Sequence, residues 1–543
     1  MAGCIARRHA SRQRGRVFLA ALAGQISLVQ SFDELDQRQV AHRNDATKRT
    51  DTKKANRVSL LSTAAGRRLI GGTVRNLLAE ALFPLTALIT SAFLTRRLGP
   101  HGYGLLALVL TVIIWIESAL NSFFSKATIK FVGETDQWNG LAAAIVRGSI
   151  LIGCAAMIVV WLAAAPISRF LGETELAAYL YVAALDIPIV AAGFAYRGVL
   201  LGIANYRGSA IARASRWLAR LLLIVLLIEA GFAITGALLG MIGASIVELA
   251  ICRYYLGPLR IFSHWRESMK IQRYGGLLLL SSICIMAYTS VDLFFLKRLG
   301  GTPAQAGIYN AAQNLALLPA LFGWTFSSLL LASLSRLLAD GQIAKARESA
   351  SDALRVTLWL LPVAAIVAGT ANEIVPLVFG AAFKPAAALL ALLIFGAVAN
   401  TLLIMALTIM TAHGRPARTV VFAGPLVPLA CAGHLLLIPH WGQRGAAWVT
   451  VLVALTGAIA AITSTHRLWQ VAPPLGSMIR SLVVTLIVGS GAVFWPVAGV
   501  LGFAKMIVLA VVALAAYWCL GEFRPSEISI VRSRWLRQKQ EVS

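Results

Sequence analysis

Residues 93–104, FLTRRLGPHGYG, interrupt two long apolar runs with two arginines, one proline and three glycines. Glycine permits the left-handed backbone of a tight turn, and proline ends a helix. The stretch is therefore either a loop of a soluble protein or the hairpin tip between two membrane-spanning helices. The composition of the chain decides between these two interpretations.

The chain has too little charge to coat a water-soluble globule. Of its 543 residues, 58% are hydrophobic and 13% are charged, whereas soluble domains are about 45–50% apolar and about 25% charged. Between about residue 77 and about residue 520, apolar runs of about 18–25 residues follow one another, the length that a helix needs to cross ~30 Å of hydrocarbon. Outer-membrane strands alternate over about 10 residues and do not fit. The sequence predicts an all-α polytopic membrane protein.

The net charge of +26 does not indicate nucleic acid. The basic residues are dispersed among the gaps, without the interleaved aromatic residues of a nucleic-acid groove. The six cysteines have no metal-like spacing, the eight histidines form no HExxH motif, and no phosphate-binding loop occurs. We therefore predict no catalytic residues, no metal site and no cofactor, and a protein that is not an enzyme.

Run length predicts about fourteen transmembrane helices. The predicted spans are residues 77–95, 103–125, 142–165, 179–202, 216–235, 236–257, 275–296, 304–333, 351–371, 386–412, 418–438, 445–465, 477–499 and 500–520. Lys and Arg are concentrated in one alternate set of gaps, which includes Arg213 and Arg216 before the fifth span and both basic termini. By the positive-inside rule this side is predicted to be cytoplasmic, and so are both termini.

Three joints between apolar runs recur in the same order about two hundred residues later. FLTRRLGPHGYGLLA pairs with FLKRLGGTPAQAGIYNAA, PISRFLGETELAAYL with PLVFGAAFKPAAALL, and GIANYRGSA with MTAHGRPAR. Such a repeat predicts two six-helix lobes related by an axis along the membrane normal, with a substrate site at their interface. The last two spans lie outside the repeat. The opening stretch is then an external hairpin, with Gly99, Gly102 and Gly104 allowing the turn and Pro100 ending the helix.

The joints also resemble a known family. RRLGPHGYGLLAL with KATIKFVGE, SVDLFFLKRLGG with AGIYNAAQNL, and VPLVFGAAFKPA are similar to segments of Wzx-type polysaccharide flippases, a branch of the multidrug/oligosaccharidyl-lipid/polysaccharide (MOP) exporter superfamily. The likeness covers about residues 70–470. It implies two six-helix lobes around a central cavity lined by spans one, two, seven and eight. It also implies a bacterial inner-membrane location and the translocation of oligosaccharide linked to undecaprenyl diphosphate. The implied partners are this lipid-linked glycan, the bilayer, and a glycan polymerase with other assembly proteins.

These observations divide the chain into five parts. Residues 1–68 are predicted to be a disordered basic cytoplasmic extension, 69–257 the N-lobe, 258–465 the C-lobe, 466–520 the last two spans, and 521–543 a basic cytoplasmic tail. For the extension, a translation start placed too far upstream and a cleaved signal peptide are the alternatives.

Polar residues within the predicted spans are costly in hydrocarbon and therefore mark a cavity or a helix interface. The candidate substrate-binding residues are Arg147, Arg197, Arg355, Glu80, Glu117, Asn121, Asn310 and Asn314. The arginines are predicted to bind the substrate diphosphate bidentately, and snorkelling to the inner headgroups is the alternative for each. Glu248 is either part of this lining or an interhelical hydrogen-bonding residue beside the Gly236/Gly240 packing pair.

The predicted function is a lipid-linked oligosaccharide flippase that works by alternating access. A drug or cation antiporter of the same superfamily is the first alternative, since Glu80 and Glu117 could serve as ion sites. A membrane glycan polymerase or ligase is the second, although such enzymes generally keep a long external loop that is not predicted here. A non-transporting scaffold of a glycan-assembly complex is the third.

Overall fold

The computed structural model describes residues 54–133, 138–257, 288–414, 417–495, 497 and 501–523. The chain divides into two compact units, residues 1–72 and 73–543. The first unit is described only from Lys54 onward, where it is helical. The predictions for residues 1–53 and for the basic tail from residue 524 lie outside the described residues. The following paragraphs concern the second unit.

All regular elements among the described residues are helical. The α-helices are α1 (Lys54–Gly133), α2 (Trp138–Leu171), α3 (Glu175–Ala184), α4 (Asp186–Gly202), α5 (Tyr206–Leu227), α6 (Ala233–Leu256), α7 (Asp292–Arg298), α8 (Pro303–Ala316), α9 (Leu318–Ala339), α10 (Ile343–Leu358), α11 (Leu360–Gly369), α12 (Ala371–Phe379), α13 (Ala386–Ala412), α14 (Ala417–Trp469), α15 (Leu475–Phe494) and α16 (Leu501–Cys519). A π-helical turn, Ile228–Phe232, joins α5 to α6, and a short 3-10 helix, Ala381–Phe383, precedes α13.

Ten helices in the described part of the chain are long and apolar enough to cross a membrane. Three of the ten contain a left-handed glycine that breaks the helix, so they make thirteen apolar segments. The predicted seventh span, residues 275–296, lies mostly outside the described residues. The predicted fold class, an all-α polytopic membrane protein, is confirmed.

The three broken helices are hairpins. In α1, Gly99 has φ 66° and ψ 178°, and the Ser91 hydroxyl lies 2.7 Å from the Tyr103 hydroxyl. In a straight helix these residues would be about 18 Å apart along the axis, so the chain folds back at Gly99. Gly231 and Gly442, with φ of 94° and 53°, break the other two.

The hairpin prediction for residues 93–104 is therefore confirmed, but the role given to two of its glycines is wrong. Gly102 and Gly104 have helical backbone and belong to the second arm of α1. The hairpin between α5 and α6 also turns at Gly231, a few residues before the predicted boundary at residue 235.

Small residues allow the hairpin arms to pack closely, as is usual between membrane helices. A Cβ atom added to Gly240 would lie 2.8 Å from the Ile224 nitrogen, and one added to Gly236 would lie 3.1 Å from the Leu227 carbonyl oxygen. The predicted packing pair is thus in place. In α14, a Cβ atom on Gly433 would lie 2.8 Å from a Val449 methyl group.

The last two helices pack on the second half of the chain. A cluster of buried apolar residues joins α15 and α16 to α11, including Ile366, Val488 and Leu509. Lys505 of α16, which is 1% exposed, donates to Glu373 of α12 at 3.0 Å. Beyond the end of α16, the buried carboxylate of Glu522 accepts from the side chain of Arg480 at 3.2 Å.

Candidate functional site

Helix α5 begins earlier than the sequence predicts, and this places Arg213 on the same helix as Arg216 and Arg220. The Asn205 side chain caps α5 by accepting a hydrogen bond from the Gly208 nitrogen at 3.0 Å. Arg213 and Arg216, assigned to a gap by the sequence, therefore lie within the first turns of α5, and Arg220 follows one turn later. Their i, i+3, i+7 spacing places them on one face. This spacing is visible in the sequence and indicates a helical face that carries three arginines. Hydropathy does not detect it, because hydropathy measures only how apolar a segment is.

The carboxylate of Glu248, on α6, is the centre to which the buried arginines bind. Its Oε1 lies 3.0 Å from Arg197 Nη1, and its Oε2 lies 2.8 Å from Arg216 Nη1. Arg213 Nη1 is 3.9 Å from Oε1. All of these side chains are largely or fully buried. A buried arginine without a counter-charge is strongly destabilising, so Glu248 supplies the counter-charge that stabilises Arg197 and Arg216 inside the bundle.

Arg213 and Glu80 form the accessible rim of this group. Arg213 Nε lies 2.8 Å from Glu80 Oε1, and the Glu80 side chain is 51% exposed. The Arg213 guanidinium carbon also lies 5.0 Å from the centroid of the Trp217 ring, a cation–π distance. Arg213 thus joins the buried Glu248 to the surface, and the exposed Glu80 is its most easily replaced partner.

A second set of acidic and polar groups lies deeper beside Arg216. Glu117 Oε2 is 3.9 Å from Arg216 Nη2. Four oxygen atoms here are buried without a hydrogen-bond partner among the described residues, namely Glu117 Oε1, Asn121 Oδ1 and both carboxylate oxygens of Asp186. Arg220 lies within electrostatic range of both Glu117 and Asp186. Buried polar groups without partners are costly, so this part of the site is suited to bind water or a proton.

These residues form a set that we call the first-half charge cluster. It consists of four arginines and four acidic residues, namely Arg197, Arg213, Arg216, Arg220, Glu80, Glu117, Asp186 and Glu248. The structure brings together three residues that the sequence had selected for the cavity, Arg197, Glu80 and Glu117. For Glu248, the interhelical interpretation is the one that matches its contacts with α4 and α5.

The other two predicted arginines do not join this cluster. Arg147 is exposed on α2 and makes no ion pair within the described residues. Arg355 is 3% exposed and its Nε lies 3.9 Å from carboxylate oxygens of both Asp352 and Glu522. The contact with Glu522 ties Arg355 to the segment that follows α16.

Asn310 and Asn314 lie where α8 meets the first half of the chain. The Asn314 side-chain nitrogen donates to the Tyr103 hydroxyl at 2.7 Å and to Asn310 Oδ1 at 3.2 Å. Gln313 precedes Asn314 by one residue and therefore lies about 100° away from it around the helix. Its side-chain nitrogen donates to Asp292 at 2.7 Å. Asp292 also accepts a hydrogen bond from the Leu293 nitrogen at 2.9 Å. The two asparagines, one helical turn apart, therefore share a face, whereas Gln313 contacts a different group.

The fold matches solved transporters of low sequence identity. The lipid II flippase MurJ, in an inward closed conformation, superposes with a TM-score of 0.70 at 12% identity, covering 82% of this chain and 98% of that one. An inward-facing MATE multidrug resistance transporter of the MOP superfamily gives 0.63 at 18% identity, with coverage of 73% and 98%. A MOP superfamily transporter from Pyrococcus furiosus gives 0.56 at 19% identity, with coverage of 74% and 95%. No curated protein sequence matches the chain.

The chain therefore has the fold of these transport proteins, two of which are described as members of the MOP superfamily. Residues 93–388, more than half of the chain, match the family described as "Polysaccharide biosynthesis protein". The chain belongs to this polysaccharide biosynthesis family. The resemblance predicted from the turn motifs is confirmed at the level of this family.

Proposed function

We propose that the protein moves an oligosaccharide linked to undecaprenyl diphosphate across the bacterial inner membrane by alternating access. Its family and its fold support transport of a lipid-linked glycan, since the solved structure with the TM-score of 0.70 is described as a lipid II flippase. A glycan polymerase and other assembly proteins are the partners expected on either side of this step.

The observation that carries the proposal is the first-half charge cluster. An anionic diphosphate cannot cross hydrocarbon unpaired, because even one unpaired buried ion costs several kcal/mol or more. The cluster offers arginines already held inside the bundle. Arg213 is the one that also reaches the accessible rim, where it pairs with the half-exposed Glu80.

In this mechanism the substrate diphosphate replaces Glu80 on Arg213. A guanidinium binds phosphate oxygens bidentately, so the exchange conserves charge-assisted hydrogen bonds. Glu248 meanwhile keeps Arg197 and Arg216 in place at 3.0 and 2.8 Å. Arg197, predicted to contact the substrate, then acts by shaping the site rather than by direct contact, and Asn310 and Asn314 border the path between the two halves.

The test is replacement of Arg213 and measurement of lipid-linked glycan that reaches the outer leaflet, normalised to protein level. Loss of a hydrogen bond to a charged group costs about 1.5–3 kcal/mol, so Arg213→Ala should reduce export roughly tenfold or more, with partial rescue by Arg213→Lys. Arg207→Ala is the matched control, because Arg207 is exposed on the same helix. Wild-type export by both alanine variants would contradict the proposal.

A drug or cation antiporter is the second candidate, favoured by two buried acidic groups, Glu117 and Asp186, whose side chains have oxygens that accept no hydrogen bond among the described residues. A proton bound there would make transport depend on the pH difference across the membrane. Glu117→Gln and Asp186→Asn remove the titratable groups and keep the shape, so we expect both to flatten that dependence, with Glu175→Gln as the exposed control. If drug efflux, and not glycan export, responds to these changes and to Arg213→Ala, the antiporter is the correct function.

A further inference from the structure

Two glycines, one from each repeat, allow the two halves of the chain to touch backbone to backbone. A Cβ atom added to Gly104 would lie 1.7 Å from the Pro303 carbonyl oxygen. A Cβ atom added to Gly307 would lie 2.2 Å from the Pro100 carbonyl oxygen. Neither distance is possible for a real side chain, so only glycine fits at either position.

These two contacts are reciprocal. Pro100 and Gly104 each lie 203 positions before their counterparts, Pro303 and Gly307. The glycine of each repeat meets the proline carbonyl of the other, which is the pattern of an isologous two-fold contact. The duplicated joint seen in the sequence is therefore a place where the two copies bind each other.

Basic residues beside each turn extend the same reciprocity. From the first copy, Arg96 donates to the carbonyl oxygens of Leu377 and Val378, the latter at 3.2 Å. From the second copy, Lys297 Nζ lies 2.8 Å from Glu173 Oε1. The segments reached, around residues 173 and 377, are themselves the second pair of repeated joints.

A hydrogen bond between the halves lies deeper than the glycines. Asn314, two helical turns beyond Gly307, donates to the Tyr103 hydroxyl at 2.7 Å. The Tyr103 and Phe383 rings also form a T-shaped pair, with centroids 5.9 Å apart. The contact between the halves thus continues inward from the turns.

We propose that Pro100, Gly104, Pro303 and Gly307 form a seal, here called the repeat seal, that closes the path between the halves at the end predicted to be external. The inference rests on the proposed function, because alternating access requires this end to open for the substrate to leave. The glycine contacts are Cα–H···O contacts, which are weak, and the flanking ion pair is partly accessible to solvent. The four residues of the seal hold through close fit, and their own contacts separate without breaking strong bonds.

The test measures how readily a thiol reagent reaches the path from outside the cell. The reporter is Asn310→Cys, one turn inside Gly307, in a protein whose six native cysteines are replaced. We expect Gly104→Ala and Gly307→Ala to accelerate labelling by a membrane-impermeant maleimide at least tenfold, since the added methyl group cannot fit in the closed state. Gly102→Ala is the matched control, because a Cβ atom there would lie 3.2 Å from the Leu98 side chain across the turn and 3.8 Å from Ile234, and so meets no backbone atom of the other half.

A charge exchange tests the seal without altering the glycines, should the alanine variants fail to accumulate. Lys297→Glu places two like charges together and should accelerate labelling, and adding Glu173→Lys should restore the slow rate. Labelling no faster than in Gly102→Ala for any glycine or lysine variant would overturn the repeat seal. The readout does not depend on what is transported, so accelerated labelling with unaltered glycan export would reject the proposed substrate and keep the seal.

Discussion

At the scale of single residues, the two carboxylates that bind Arg213 differ in what their removal should cost. Glu248 is 2% exposed and pairs with Arg197 and Arg216, whereas Glu80 is half-exposed. Removing one partner of a buried pair typically costs about 3–5 kcal/mol, and an exposed pair contributes about 0–1 kcal/mol. The same substitution should therefore cost much more stability at Glu248 than at Glu80.

We expect Glu248→Gln to lower the unfolding temperature of the purified protein clearly, and Glu80→Gln to leave it nearly unchanged. Thermal unfolding in detergent measures both variants under one condition. A double variant, Glu248→Gln with Arg197→Met, should recover part of the loss because it removes a cation that would otherwise lack its carboxylate. Equal unfolding temperatures for the two single variants would show that Glu248 does not hold the arginines in place.

At the scale of elements, Glu522, which follows α16 and binds Arg480 of α15, connects the last two helices to α10 through Arg355. Its side chain is fully buried and lies 3.9 Å from Arg355 Nε, and it accepts a hydrogen bond from Trp359 Nε1 at 3.4 Å. The sequence predicts that Arg355 binds substrate, and the structure adds this carboxylate as a neighbour. Variants of Arg355 and Glu522 distinguish the two roles, because substrate binding predicts a loss of export and helix attachment predicts a loss of thermal stability.

If Arg355 acts by attachment, Arg355→Ala and Glu522→Gln should lower the unfolding temperature to a similar extent, and the double variant should lose less than their sum. Export per folded molecule should then stay close to wild type. If Arg355 instead binds the diphosphate, Arg355→Ala should impair export at normal protein level while Glu522→Gln does not. Glycan export and thermal unfolding, measured on the same three variants, separate these outcomes.

At the scale of the whole molecule, the alternating Lys and Arg bias predicts which turns face the cytoplasm. Cysteines at Pro100 and Lys384 should react with an impermeant thiol reagent added outside cells, and cysteines at Arg207 and Lys345 should not. The physical reason is that loops rich in Lys and Arg are retained on the cytoplasmic side during insertion. Labelling of Arg207→Cys from outside intact cells would reverse the predicted orientation, and with it the assignment of the repeat seal to the external end.

The helical segments and their hairpins could be predicted from the sequence because they depend on local properties. A segment in hydrocarbon must satisfy its own backbone hydrogen bonds, so run length and apolarity alone specify a helix. The turn at Gly99 is likewise predictable, because a proline and basic residues lie beside it in the sequence. The family resemblance relied on the same local joints.

Only the tertiary structure decided which charges meet. Arg213 and Arg216 look like loop residues because hydropathy places polar residues outside a span, and only the positions of Glu80 and Glu248 on other helices show that they are paired inside the bundle. The partner of Arg355 follows the last helix of the chain, far beyond any local pattern. Gly104, assigned to the turn by sequence, is instead a contact with Pro303. Such pairings depend on the distances between helices, and neither the periodicity nor the composition of the sequence specifies those distances.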